Sequence, residues 1–225
     1  MSVIGLVTEG PTDQVVIEHL LRRYAQSQNI EGDWTCRELQ PLPPSQALGG
    51  NKRGWTQVRQ WCLEHPRGWP PRPLFASNMD TDYCDRVIIH LDADLLDKDP
   101  GNRSLRLPGT EMPSRTATPA ERGNFLRNLL HSWLCQEGET LDLRRTVLAP
   151  AVEAIETWLV AGLCDDAEPE SNHDVALRLG ECDSLAKSEK SVDNYQRLAE
   201  HAGKQIHRIT ERCPHFRTLA EAVFP

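Results

Sequence analysis

The chain is short of several features that would settle its class at once. Its 225 residues contain no apolar run near the ~20 needed to span a membrane, so no membrane partner is expected. A basic excess is missing too. The formal net charge is −8, which excludes a protein that coats nucleic acid by bulk charge and leaves room only for a local basic surface. Seven cysteines, at 36, 62, 84, 135, 164, 182 and 213, are an odd number without CxxC spacing. They predict reduced thiols in a cytoplasmic protein, not a disulfide framework or a zinc site. The opening "MSVIGLVTEG" has no basic region and only a short apolar run, so a signal peptide is not expected. A GxxxxGK[ST] phosphate loop is absent, and so is any internal repeat.

What is present suits an α/β protein. Apolar residues make up 39%, enough for a substantial core. Residues 2–8 read as a buried strand that stops at Glu9-Gly10-Pro11. Gly10 is expected to let the chain turn without a Cβ in the way. A helix follows over about 11–26, with Val16, Ile17, Leu20, Leu21 and Tyr24 in one stripe. Pro11 fits its first turn, where a missing N–H costs nothing. Further strands are expected at 33–40, 86–91 ("RVIIHL") and in "RRTVLAPA". Helices are expected at 55–65, 118–136 and 152–163 ("VEAIETWLVAGL"), and a mostly helical tail is broken at Pro214. Strands alternating with helices predict a mainly parallel sheet flanked by helices. The division expected is a sheet domain over 1–165 and a helical extension over 166–225 packed on it.

In such sheets chemistry gathers at the carboxyl ends of the strands. Glu9 ends the first strand; Asp92 and Asp94 follow "VIIHL". Residues two apart in an extended segment point the same way, so these two aspartates are expected on one face. Glu153 and Glu156, three apart on the expected helix, share a face as well. Crowded carboxylates repel unless something neutralises them, and a hard divalent cation such as Mg²⁺ does so economically.

Strand–Glu–Gly–helix ("LVTEGPTD"), then strand–Asp-x-Asp ("VIIHLDADLLD"), then a later helical acid ("AIETWLVAGL") resembles the TOPRIM domain. That metal-binding fold is shared by topoisomerases, primases and OLD-type nucleases. The chain is most similar to small stand-alone bacterial TOPRIM-like proteins of unassigned function, and the likeness runs from about 3 to 222, including the tail "KSEKSVDNYQRLAEHAGKQIHRITERCPHFRTL". It departs in carrying Asp13 where a Glu is common, and in a long 97–118 loop.

The resemblance implies a Mg²⁺-dependent (or Mn²⁺-dependent) nuclease with one or two ions. Glu9, Asp92 and Asp94 would serve the metal, and Glu156, Glu153 and Asp13 are candidates for a second ion. Lys187 and Lys190 would supply positive charge to the transition state. With no phosphate loop, any ABC-type ATPase partner of the OLD kind must be a separate subunit, and a role in defence against phage or foreign DNA follows by analogy. Homo-oligomerisation stays open. Tyr24, Tyr83 and Tyr195 are the only tyrosines, and Tyr24 lies on an apolar stripe, so a strand-passing topoisomerase is not expected. Nucleic acid, DNA foremost, is expected along Lys52, Arg53 and Arg59, interleaved with Trp55, Trp61 and Trp69, with Arg67 and Arg72 beyond. Arg103, Arg106 and Arg115 are further candidates. The same tryptophans also read as the buried face of a helix, and His90 reads as a buried, hydrogen-bonded histidine. Two rival readings are a non-catalytic module binding a partner ATPase or nucleic acid, and a sugar-nucleotide Asp-x-Asp site; the latter leaves Glu9 and Glu156 without a role.

Overall fold

The computed structural model describes residues 2–41, 53–68, 83–99, 101–135, 138–183 and 190–225. Four strands form one parallel sheet: β1 (Ser2–Val7), β2 (Trp34–Gln40), β3 (Arg86–Asp92) and β4 (Thr146–Ala151), in spatial order β2-β1-β3-β4. β1 and β3 are neighbours, with Val7 opposite Ile89, so their carboxyl ends reach the same edge. β3 and β4 pair from Val87–Thr146 to Asp92–Ala151.

The side-chain alternation of the strands builds a core on each face. Ile4, Leu6, Ile88, Val147, Ala149 and Ala151 face one layer of helices: α1 (Pro11–Ser27), α5 (Glu156–Leu163), α6 (Val175–Cys182), α7 (Val192–Gly203), α8 (Ile206–Arg212) and α9 (Pro214–Val223). Val7, Val87, Ile89 and Leu91 face the other: α2 (Trp55–Glu64), the short α3 (Leu95–Lys98) and α4 (Pro119–Leu134). Residues beyond 165 share the first core: Leu198, Ala199 and Ala202 of α7 are buried with Val16, Ile17 and Leu20 of α1. No helix among the described residues is long and apolar enough to cross a membrane.

Three local expectations change. The helix expected from 152 starts at Glu156, and Glu153 lies in the preceding turn with φ 69, so the two acids do not share a helical face. Gly10 is extended (φ −153), and an added Cβ would meet Asp13 and Thr12 at ordinary contact distances of 3.7 Å. Nothing in the backbone therefore demands glycine there. Cys164 and Cys182 are disulfide-bonded (Cα–Cα 5.6 Å), tying the end of α5 to the end of α6. The thiols of Cys36, Cys62, Cys84, Cys135 and Cys213 are free.

Candidate metal centre

Glu9 and Asp92 meet at the carboxyl edge. The Asp92 amide donates to Glu9 Oε1 at 3.0 Å. Beneath them lies His90, fully buried, with Nδ1 2.9 Å from the Ala149 carbonyl and Nε2 3.1 Å from Asp92 Oδ1. A carbonyl only accepts, so Nδ1 carries a proton; Nε2 facing a carboxylate favours a second one. Burial opposes that charge, but the hydrogen bond and charge of Asp92 overcome it, and His90 is raised to about 9. Burial pushes Asp92 up to about 7 against the pull of His90. Burial and then the Asp92 carboxylate push Glu9 up to about 8, against the hydrogen bond from the Asp92 amide.

The other predicted acids are nearby but engaged. Asp94 is not in the strand. It has helical dihedrals at the start of α3, and Lys98 Nζ lies 2.5 Å from its Oδ2. It reaches the same cavity as Asp92 through this turn, not through strand alternation. Asp13 accepts from the Gly10 amide at 2.8 Å and from Thr12 Oγ1 at 3.2 Å, as a helix-capping carboxylate. Burial raises its pKa, with the charges of His90 and Lys190 pulling the other way. Glu156, 6% exposed, accepts from Lys190 Nζ at 2.9 Å and from the Tyr195 hydroxyl. Burial would raise it, yet Lys190 and Tyr195 together hold it below its ordinary value. Glu153, 3% exposed, lies 3.3 Å from Arg122 Nε and 2.9 Å from His173 Nδ1. Its carbonyl accepts from the Asp94 amide at 2.8 Å, which ties the exit of β4 to the exit of β3.

These residues line one cavity of about 1030 Å³. Glu9, Asp13, Asp92, Asp94, Glu153, Glu156 and Lys190 all reach it, as does Arg53. Lys98, His173 and Tyr195 are lining residues that sequence reasoning did not assign to the site. Arg59, Arg103, Arg106 and Arg115 do not line it. Arg59 is half-buried with Nε shut away from solvent, whereas Arg103, Arg106 and Arg115 are exposed. Arg115 borders the cavity, 3.5 Å from Asp174. Trp61 is 6% exposed and stacked on His65, and Trp55 stacks on Trp133. Trp61 belongs to the core of α2, with no face left for a base. Lys52, Trp69, Arg72 and Lys187 lie outside the described residues.

Does this donor set suit a divalent ion? Among the described residues, no group of three or more His, Cys, Asp or Glu is placed to hold a metal. A closed all-protein cage is therefore not what these residues build. Mg²⁺ rarely uses one: it keeps several waters and takes one or two carboxylates. Glu9 and Asp92, pressed toward protonation by burial, fit one such hydrated ion, with Asp94 beside them. Glu156, Glu153 and Asp13 each have protein partners as well.

No protein-family model matches this chain, and neither a curated protein nor a solved structure matches it.

Proposed function

We propose that this chain is a Mg²⁺-dependent nuclease that hydrolyses a phosphodiester with one ion carried by Glu9 and Asp92. The observation that carries the reading is the contact between those two residues at the carboxyl edge, on the floor of a cavity large enough for a nucleotide unit. Bound there, the ion would supply Lewis-acid polarisation of a phosphoryl group. The chain's own residues do the rest. His90 fixes the Asp92 carboxylate from below. Lys98, Lys190 and Arg53 are the cationic side chains that a phosphate in the cavity would meet, the two lysines already paired with Asp94 and Glu156. Lys190, anchored on Glu156, is placed to steady charge that grows on phosphoryl oxygens.

The resemblance to TOPRIM and OLD-type proteins supports the same reading and adds DNA as the substrate, a separate ABC-type ATPase as a partner, and foreign-DNA defence as the setting. A second reading draws on the engagement of Asp94, Glu153 and Glu156 by protein partners: a non-catalytic module that binds an ATPase or nucleic acid.

One assay separates them. Plasmid DNA is incubated with Mg²⁺ or Mn²⁺ and wild type, Glu9→Ala or Asp92→Ala, with and without a candidate ATPase. Metal-dependent cleavage by wild type, lost in both variants, is expected. Cleavage that survives either substitution overturns the nuclease assignment, and a silent wild type in every arm favours the module.

A further inference from the structure

We propose that His173 is the general base of this site, oriented by Glu153; the inference rests on the nuclease reading. His173 lines the same cavity as Glu9 and Asp92 and is about one-third exposed. Its Nδ1 lies 2.9 Å from Glu153 Oε1. A carboxylate oxygen accepts there, so the tautomer this contact selects has the proton on Nδ1 and the lone pair on Nε2.

The carboxylate behind it is built in. Glu153 is 3% exposed and takes a positive φ of 69, which a non-glycine residue rarely adopts. Arg122 of α4, fully buried, forms an ion pair with it, Nε 3.3 Å from Oε1. Arg122 also donates to the Ala93 carbonyl at 3.0 Å and to Asp97 at 2.8 Å, so the same side chain braces the loop that carries Asp94. A buried carboxylate that fixes the tautomer of a one-third-exposed imidazole is the arrangement of a histidine that moves protons. Glu153 is the charged group in contact with the ring, with Arg122 behind it. Arg115 lies 3.5 Å from Asp174 and donates to the His173 carbonyl at 3.3 Å.

In the step assigned, His173 Nε2 takes a proton from water as the water oxygen bonds to phosphorus. The bond from phosphorus to the leaving oxygen breaks. The leaving oxygen takes a proton from water, and Nε2 returns its proton to solvent, giving a phosphomonoester and an alcohol and leaving the ring neutral.

The test uses the full chain, Mn²⁺ and bis(4-nitrophenyl) phosphate. Wild type, Glu9→Gln, His173→Ala and His173→Asn are compared; the asparagine keeps a donor for Glu153 but cannot exchange a proton. Both His173 variants should lose about 100-fold or more in kcat, with KM little changed. The rising limb of the pH–rate profile should vanish, and added imidazole should restore His173→Ala. If wild type hydrolyses the diester and Glu9→Gln does not, yet His173→Asn keeps wild-type kcat and pH profile, the base assignment falls and the metal reading stands. If wild type shows no metal-dependent hydrolysis, with or without the candidate ATPase, both fall.

Discussion

Glu156 keeps its charge inside the protein because Lys190 and the Tyr195 hydroxyl face it. Removing one partner from a buried pair costs about 3–5 kcal/mol, but Lys190 is half-exposed and Tyr195 remains. Lys190→Met should therefore lower stability by only about 1–2 kcal/mol. A shifted urea midpoint at unchanged m would show it; an unchanged or raised midpoint would mean the pair is not what holds Glu156 ionised. Single residues were unevenly legible. Glu9 and Asp92 could be named because each ends an apolar run, and strand ends converge on one edge. His173 could not. Its partner Glu153 lies 20 residues away, and nothing in "SNHD" marks a residue that a disulfide-tethered segment folds back over the sheet. His90 was legible as a buried histidine, but not as the proton-bearing support of Asp92.

At the scale of elements, the strands and most helices follow directly from apolar periodicity and from Pro and Gly punctuation. The failure at 152–163 has a local cause. "VEAIETWLV" has helical spacing throughout, yet the backbone of Glu153 is drawn into a turn by the Asp94 amide, and its side chain by Arg122 and His173. Long-range partners override propensity there. The placement of α7 over α5, which puts Tyr195 and Lys190 on Glu156, depends on Gly162. A Cβ at that position would fall 2.7 Å from the Ala202 carbonyl oxygen, a backbone atom that cannot swing away. Gly162→Ala gains about 1 kcal/mol of helix propensity. The overpacking costs about 1–3 kcal/mol, so a net loss of up to about 2 kcal/mol in chemical denaturation is expected. A stabilised variant would show that the two helices are not in tight contact.

Across the whole molecule, the sheet order and the two-faced core agree with the alternation of elements in the sequence, and Glu9, Asp13, Asp92, Asp94, Glu153 and Glu156 gather on one cavity. That concentration sets a pH dependence. Glu9 rises from 4.5 to about 8 on folding and Asp92 from 3.8 to about 7, so the folded state holds protons that the unfolded chain has already lost. Stability must then fall as pH rises through those windows. His90, raised from 6.5 to about 9, adds stability that is complete below 6.5 and lost toward 9. Glu156 acts oppositely, but only below its ordinary value of 4.5, outside this range. A divalent ion on Glu9 and Asp92 binds the deprotonated form, so it should help most where the metal-free protein is weakest. The most direct test is the melting midpoint from pH 5 to 9, in EDTA and in Mg²⁺, for wild type and Glu9→Gln. The account predicts a midpoint that falls with pH in EDTA, a Mg²⁺ stabilisation that grows from pH 5 to 8, and no such stabilisation in Glu9→Gln. A Mg²⁺ effect that is absent from wild type, or that persists undiminished in Glu9→Gln, would contradict it.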